Sequence, residues 1–124
     1  MKLNGPLAGC RVIELGRFVT GPYCAQLLAD LGAEVTKIED PQGGDPFRGW
    51  SRSSAMAGYG APFLAFNRSK RSLTLDPKHP RSREVIARLA ARADVFIENF
   101  RPGVADRLGF GYETLAAANA RLVY

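Results

Sequence analysis

Histidine, cysteine and long apolar runs are scarce in this chain of 124 residues. The one histidine, His79, lies in a proline-rich loop, and the two cysteines, Cys10 and Cys24, do not have Cys-x-x-Cys spacing. A histidine-dependent triad therefore lacks a strong candidate, and we predict no metal, no disulfide and two buried free thiols. No segment approaches the roughly 18 apolar residues of a membrane span, and the first six residues do not resemble a signal peptide. We therefore predict a cytoplasmic protein with no membrane partner.

Acidic residues are almost absent from the central segment, residues 48–83. A single acid, Asp76, accompanies eight basic residues there: Arg48, Arg52, Arg68, Lys70, Arg71, Lys78, Arg81 and Arg83. The remaining nine basic and eleven acidic residues nearly cancel, and the net charge of the whole chain is +5. This local excess indicates either an anionic partner, such as a phosphorylated ligand or a nucleic acid, or a solvated basic surface.

The apolar pattern of the first forty residues predicts a strand, a helix and a second strand. A short apolar strand ends at Gly16, and residues 35–38 form the next strand. The helix between them is predicted to begin at Pro22, with Thr20 or Gly21 as its cap, and to end at Gly32. Its buried face consists of residues at helical spacing: Cys24, Leu27, Leu28 and Leu31. Two strands joined by such a helix are expected to lie parallel.

The rest of the chain continues the alternation of strands and helices. Residues 40–62, rich in glycine and proline, predict a long loop, and a brief apolar turn follows at 63–66. Further predicted elements are a strand at 72–76, a helix from Pro80, a strand at 94–98, a helical turn at 104–108, a helix at 112–119 and the start of a strand at 121. We therefore predict an α/β fold, Rossmann-like, with a mainly parallel sheet and helices on both faces. Because the chain stops inside that last strand, we expect a longer protein.

The turn after the first strand fits neither common phosphate-binding motif. Gly16 and Gly21 do not supply Gly-x-Gly-x-x-Gly, so the position of Glu39 does not identify a ribose-binding acid. Pro22 and Tyr23 stand where a phosphate loop requires lysine followed by serine or threonine. We attribute both glycines to turn geometry.

Four places are nevertheless predicted to converge, because turns that follow parallel strands gather at one edge of the sheet. They are the turn at Val19 and Thr20, the segment 75–78, the turn 99–101 and Arg107. Helix N-termini add only about 0.3 to 1 kcal/mol for a nearby anion, so the side chains of Lys78, Arg101 and Arg107 would supply most of the affinity. The alternative is that Asn99 caps its own turn and the arginines are solvated.

At these residues the chain resembles the N-terminal part of the class III coenzyme A transferases, the family of formyl-CoA transferase, carnitine CoA-transferase and alpha-methylacyl-CoA racemase. The motifs occur in this order: PLAGCRVIEL, TGPYCAQLLADLGAEVTKIE, GGDPFR, FNRSKRSLTLDPK, ADVFIENFRPGVADRLGFGYETL and NARLVY. Each motif is weak alone, but the ordered series is specific.

The resemblance implies that residues 1–124 are the N-terminal part of a CoA-binding large domain in an interlocked homodimer. Coenzyme A or acyl-CoA would be a substrate, with carboxylic acids as the other partners and no prosthetic group. The positions matching CoA-binding motifs are Val19, Thr20, Leu75, Asp76, Pro77, Lys78, Asn99, Phe100, Arg101 and Arg107. Asp40 stands where some members carry a basic residue near the adenosine phosphate. The catalytic residues of the family correspond to positions beyond Tyr124, so we assign none, and this chain alone is expected to be inactive.

The activity implied by the resemblance is CoA transfer between carboxylic acids through an aspartyl-CoA thioester. A racemase of 2-methylacyl-CoA thioesters is the nearest alternative, because the residues that separate the two lie further along the family's chain. A second alternative is a basic nucleic-acid-binding module in which bases stack on aromatic residues: Trp50, Tyr59, Phe63 and Phe66. No nucleic-acid motif accompanies the charge, so we do not predict nucleic acid as a partner. The third alternative is a non-catalytic fragment that serves dimerisation or regulation.

Overall fold

The computed structural model describes residues 4–124, in which four strands form a parallel sheet. The elements are β1 Arg11–Glu14, α1 Thr20–Asp30, β2 Glu34–Glu39, α2 Ala61–Asn67, β3 Arg71–Thr74, α3 Ser82–Ala90, β4 Val95–Ile97, α4 Val104–Leu108 and α5 Tyr112–Ala118. The strand order is β3-β2-β1-β4, and every neighbouring pair is parallel. Among these described residues no helix is long and apolar enough to cross a membrane. Part of the segment tested for a signal peptide, residues 1–3, lies outside the described range.

Alternation along β1 divides the apolar core between the two faces of the sheet. Val12 packs in a cluster with Ala25 and Ala29 of α1. Ile13, the next residue, packs in a second cluster built largely from α3, β4, α4 and α5: Ile86, Ala90, Phe96, Ala105, Phe110 and Leu115. Successive strand residues point to opposite faces, so both faces of a parallel sheet need a helical cover. The predicted α/β fold, with a parallel sheet and helices on both faces, is confirmed.

Helix α1 buries a different face from the predicted one. The residues it buries are Gly21, Pro22, Ala25, Gln26 and Ala29. By contrast Leu27 and Leu31 are 47% and 46% exposed, and Cys24 is exposed. Small side chains face the sheet and let the helix approach it closely. Of the predicted face, only Leu28 packs partly buried against the cluster that contains Val12. The prediction of two buried thiols is also wrong, since Cys10 is only partly buried.

Helix α1 also begins earlier than predicted. Its first residue is Thr20 and its N-cap is Val19, which makes no side-chain capping bond, so neither Thr20 nor Gly21 is the cap. Pro22 still lies in the first turn, where a missing N–H leaves no hydrogen bond unmade. At the other end Gly32 has a φ of +101° and closes the helix as predicted.

The segment 40–62, predicted as a long loop, contains two 3₁₀ turns, Pro46–Gly49 and Ser54–Met56. Its last two residues belong to α2, and the turn predicted at 63–66 is this helix instead. Phe47 is buried and its ring stacks on Phe66 at a centroid distance of 6.2 Å, whereas Trp50 is 57% exposed. Phe47 therefore attaches the segment to α2.

The last residues run parallel to β4. The Phe96 N–H donates to the Val123 carbonyl, and the Val123 N–H donates to the Asp94 carbonyl, both at 2.9 Å. Val95 and Val123 form a single parallel bridge, so pairing is present where a strand was predicted to begin.

Candidate functional site

The carboxyl ends of all four strands surround one narrow crevice. Its lining includes Gly16 and Arg17 after β1, Asp40 after β2, Leu75 and Pro77 after β3, and Phe100 after β4. The space inside is about 10 Å³, which is room for one water molecule. The crevice is therefore the floor of a surface site, and a larger ligand must lie on its rim.

Asn99 joins the turn after β4 to the turn after β1. Its Oδ1 accepts the Arg17 N–H at 2.9 Å, and its Nδ2 donates to the Arg17 carbonyl and to Thr20 Oγ1, each at 2.9 Å. These bonds require both a donor and an acceptor on one short side chain, which asparagine supplies. Asn99 therefore anchors the turn after β1, while it remains part of the turn after β4. Two of the predicted segments, the one at Thr20 and the one at Asn99, are brought together.

Gly16 and Gly21 serve close packing between the two ends of the first turn. A Cβ added to Gly21 would lie 2.9 Å from the Gly16 Cα, and one added to Gly16 would lie 2.8 Å from the Gly21 Cα. Within residues 16–21, all of which the structure describes, the positive φ belongs to Phe18, at 63°. Neither glycine has a positive φ, so what requires glycine at both positions is the backbone contact between the two ends of this turn.

The segment after β3 contributes to both the floor and the rim. The Leu75 N–H donates to the Glu39 carbonyl at 2.9 Å, which continues the pairing of β3 with β2. Pro77 is buried beside it. Asp76 Oδ1 accepts the Lys78 N–H at 2.9 Å, and this bond turns the chain so that Lys78 is exposed at the edge.

An open groove of about 490 Å³ lies between this segment and α3. It is lined by Pro41, Thr74, Leu75, Asp76, His79, Arg81, Ser82, Glu84, Val85 and Arg88. His79 Nδ1 accepts the Arg81 N–H at 3.2 Å, so Nε2 is the ring nitrogen left for a ligand. Arg88 pairs with Glu84 along the helix. The groove is much larger than the crevice and carries both signs of charge.

The segment after β4 presents the predicted arginines on the surface. Phe100 is half-buried, and its N–H donates to Glu98 Oε2 at 2.7 Å. Arg101 and Arg107 are both exposed. Arg107 lies on α4, and its guanidinium Nη1 is 3.3 Å from the point that a Cβ on Gly103 would occupy. Both cations therefore lie on the surface of the segment that follows β4.

Sequence reasoning missed Arg17. Its guanidinium Nη2 lies 3.4 Å from Asp40 Oδ2, so an ion pair crosses the crevice from β1 to β2. This pair offsets part of the negative charge of Asp40. Arg17 could have been found from the sequence, because it directly follows a predicted strand, as the residues of the other predicted turns do.

Beneath the floor lies a buried group of four charged side chains, Glu14, Lys37, Asp45 and Lys70, which we call the Glu14 cluster. Glu14 bridges the two lysines, with Oε1 2.7 Å from Lys37 Nζ and Oε2 2.9 Å from Lys70 Nζ. Asp45 Oδ2 lies 3.0 Å from Lys37 Nζ. All four side chains are 2% exposed or less, and their formal charges balance. Burial lowers the pKa of Lys70, and the opposing influence of Glu14 offsets this in part.

Several basic residues of the central segment are paired internally. The pairs are Arg48 with Glu39, Arg68 with Asp30 and Lys70 with Glu14. The Arg48 guanidinium also lies 3.8 Å from the ring centroid of Phe63, which is buried and is therefore not a free stacking platform. The local excess of positive charge is thus partly offset by carboxylates of the same chain, at the surface for Arg68 and inside the fold for Lys70, which weakens the nucleic-acid interpretation.

Glu39 is fixed by four hydrogen bonds at the end of β2. Arg48 donates from Nε to Oε2 at 2.7 Å and from Nη2 to Oε1 at 2.6 Å. Ser72 Oγ donates to Oε1 at 2.7 Å, and the Asp45 N–H donates to Oε2 at 3.0 Å. Burial by itself raises the pKa of Glu39, but these bonds outweigh it and lower the pKa to about 2. Glu39 is thus a structural carboxylate and not a ribose ligand.

Acid should therefore destabilise the protein through Glu39. The folded pKa of about 2 lies below the ordinary glutamate value of 4.5. The carboxylate therefore stabilises the fold above pH 4.5, and this contribution is lost as the pH falls towards 2. The full loss is about 3 kcal/mol. Urea unfolding between pH 6 and pH 2 measures it, with Glu39→Gln as the non-titrating variant and Glu113→Gln as an exposed control. Equal pH slopes in wild type and Glu39→Gln would contradict the assignment.

Comparisons with known proteins identify the family of this chain. Residues 7–124 match the model of the family described as CoA-transferase family III, and the chain belongs to that family. It is 44% identical over 118 residues to a succinyl-CoA–D-citramalate CoA-transferase of Chloroflexus aurantiacus, covering 95% of this chain and 29% of that protein. It is 43% identical over 124 residues to a succinate–glutarate CoA-transferase of Agrobacterium fabrum, covering 96% of this chain and 31% of that protein.

Solved structures show the same fold. A CAIB/BAIF family protein from Brucella suis superposes with a TM-score of 0.84 at 45% identity, covering 94% of this chain and 31% of that one. A hypothetical protein from Mycobacterium tuberculosis superposes with a TM-score of 0.86 at 40% identity, covering 98% of this chain and 33% of that one. The chain therefore spans about a third of the length of these relatives.

Proposed function

We propose that this chain forms the coenzyme A-binding part of an enzyme that transfers CoA between carboxylic acids. The observation that carries the proposal is the rim at the carboxyl edge of the sheet, in a chain that belongs to CoA-transferase family III. There Asn99 holds the turn at Thr20 against the turn after β4. Ligands of parallel α/β sheets bind at this edge.

The proposed binding mode distributes CoA over three parts of the rim. The pantetheine lies against the turn of Val19 and Thr20, where α1 begins. The adenine end lies along the segment 75–78 and the groove beside it. The turn of Asn99, Phe100 and Arg101 contacts the nucleotide, and Arg107 approaches its phosphates. Arginine suits phosphate because its planar guanidinium can donate two parallel hydrogen bonds.

Asp40 is compatible with this mode because it is paired. A free carboxylate near an adenosine phosphate would repel it, whereas the ion pair with Arg17 offsets part of that charge. Asp40 itself is not proposed as a ligand of the phosphate.

The chemistry proposed for the complete protein is CoA transfer through an enzyme-bound thioester, with acyl-CoA and a carboxylic acid as substrates. The residues described here bind and orient CoA, and we assign none of them a catalytic role. The named relatives are CoA-transferases, which supports transfer over racemisation. A homodimer, a cytoplasmic location, a Rossmann-like large domain and inactivity of this segment alone remain proposals from the resemblance.

Replacing Arg107 by Ala tests the proposed binding mode. We expect CoA to bind about tenfold more weakly in the full-length protein, because a charge-assisted contact to phosphate is lost. Titration calorimetry with CoA and with pantetheine separates the contribution of the nucleotide from that of the pantetheine. Pantetheine lacks the nucleotide, so its affinity should be unaffected. Arg92→Ala, which replaces an exposed arginine in the turn after α3, serves as the control. Unchanged CoA affinity in Arg107→Ala would remove Arg107 from the site.

A further inference from the structure

We propose that Lys70 is a positioning residue for CoA binding, which acts by holding the Pro22 carbonyl at the end of the first turn. The inference rests on the proposed function, because it assumes that CoA lies on this turn. Lys70 is distant in sequence from the turn, and its side chain is buried below the rim. Its ammonium donates to three acceptors inside the protein, so we infer that it acts on the ligand through the backbone.

The three protons of the Lys70 ammonium are all directed to acceptors inside the protein. Nζ donates to the Pro22 carbonyl at 2.7 Å, to Glu14 Oε2 at 2.9 Å and to Asn67 Oδ1 at 3.0 Å. These acceptors come from α1, β1 and α2. Lys70 thus links three elements at one point, and only one of the three bonds goes to a charged partner.

The other lysine of the Glu14 cluster holds the opposite end of the same turn. Lys37 Nζ donates to the Gly16 carbonyl at 2.9 Å and to Glu14 Oε1 at 2.7 Å. The turn from Gly16 to Pro22 is therefore held at both ends from below by ammonium groups that share one carboxylate. Bonds between a charged donor and a backbone carbonyl, made in a buried site, are stronger than neutral ones.

The outer side of the turn is held separately. Asn99 binds Arg17 and Thr20 in the middle of the turn. Gly16 and Gly21 pack backbone against backbone, so a displacement at one end of the turn disturbs its contact with the other end. Loss of the Pro22 anchor should therefore displace Val19 and Thr20, the residues proposed to face the pantetheine, even though the contacts of Asn99 remain.

A simpler role for Lys70 would be to neutralise Glu14. The two roles differ in one respect, because charge balance can be restored without restoring the bond to Pro22. Removing the charges of Glu14 and Lys70 together leaves Lys37 and Asp45 as a balanced pair. Such a double variant recovers stability under both roles, but it recovers CoA affinity only if Lys70 serves charge balance alone.

The test compares three variants of the full-length protein: Lys70→Met, Glu14→Gln with Lys70→Met, and Arg71→Met. Arg71 is the adjacent, exposed residue and is the matched control. We expect Lys70→Met to bind CoA about tenfold more weakly and to exchange its amide protons at residues 17–21 faster, with Arg71→Met unchanged. We expect the double variant to be more stable than Lys70→Met while its CoA affinity remains low.

Two results would overturn the proposal. One is a double variant that regains both stability and CoA affinity, because Lys70 would then only balance charge. The other is wild-type amide exchange at residues 17–21 in the variants that lack Lys70. If Lys70→Met fails to fold, CoA affinity and amide exchange at residues 17–21 are both measured on the double variant. Failure of wild type to bind CoA would refute the proposed function instead, and the exchange at residues 17–21 would still decide whether Lys70 anchors the turn.

Discussion

Glu14→Gln should destabilise the protein by about 3 to 5 kcal/mol, because it leaves two buried lysines with one remaining carboxylate. Glutamine has nearly the shape of glutamate, so the substitution creates no cavity, but its amide NH2 must face one of the two ammonium groups that Glu14 accepts from. What it removes is the negative charge that lies 2.7 Å from Lys37 Nζ and 2.9 Å from Lys70 Nζ. The Glu14 cluster then carries an uncompensated positive charge out of reach of water.

Urea unfolding of the full-length protein near pH 7 measures this effect. Glu34→Gln is the matched control, because Glu34 is also a strand glutamate but is exposed, and a change within about 0.5 kcal/mol is expected there. A loss of less than about 1 kcal/mol in Glu14→Gln would show that the buried charges are not coupled as the distances indicate. At the same CoA concentration, CoA should stabilise Glu14→Gln less than wild type if the cluster supports the binding turn.

Asn99→Ala should weaken CoA binding about tenfold or more and lower the free energy of unfolding by about 1 to 3 kcal/mol. The variant removes all three bonds to Arg17 and Thr20, so the turns after β1 and β4 lose their connection. Asn99→Asp keeps the acceptor for the Arg17 N–H but loses both donors and adds a negative charge near the proposed phosphates. It should therefore bind CoA more weakly than Asn99→Ala.

Asn119→Ala provides a matched control for Asn99→Ala. Asn119 also makes three hydrogen bonds, to the carbonyls of Ala90 and Ala93 and to the Arg121 N–H, but it lies at the end of α5. Its loss should lower stability by a similar amount and leave CoA affinity unchanged. Equal losses of CoA affinity in the two variants would mean that Asn99 acts only through general stability.

The strand positions and their parallel arrangement were predictable because they depend on local pattern and on a general rule of chain connection. Apolar runs located β1, β2 and β4, and the helix between β1 and β2 required the two strands to be parallel. The same rule predicted that Thr20 and Asn99 would lie at one edge, although their sequence separation is large. The side-chain bonds that join them required coordinates.

The face of α1 was predicted wrongly because periodicity alone does not say which stripe of a helix meets the sheet. Leu27 and Leu31 form a more apolar stripe than Ala25 and Ala29, yet the alanines pack on β1 and β2. Close approach of backbones favoured small residues over large ones. A second sequence signal, Gly21 in the same stripe as the alanines, indicates such close packing.

The buried charges were missed for a related reason. A lysine in a strand is ordinarily assigned to the solvated face, and Lys37 is instead fully buried. The register of β1 and β2 places Glu14 directly beside Lys37, which is a pairing that the sequence alone does not fix. Lys70 and Asp45 come from irregular segments, so their arrival in the same cluster follows no periodic rule.

The most direct test of the account is hydrogen–deuterium exchange of the full-length protein with and without coenzyme A. We expect slower exchange on adding CoA in peptides that cover residues 16–22, 75–78 and 99–107, with little change in α5. Protection confined to other parts of the chain, or no protection in these three segments at saturating CoA, would contradict the assignment of the CoA site to this edge of the sheet.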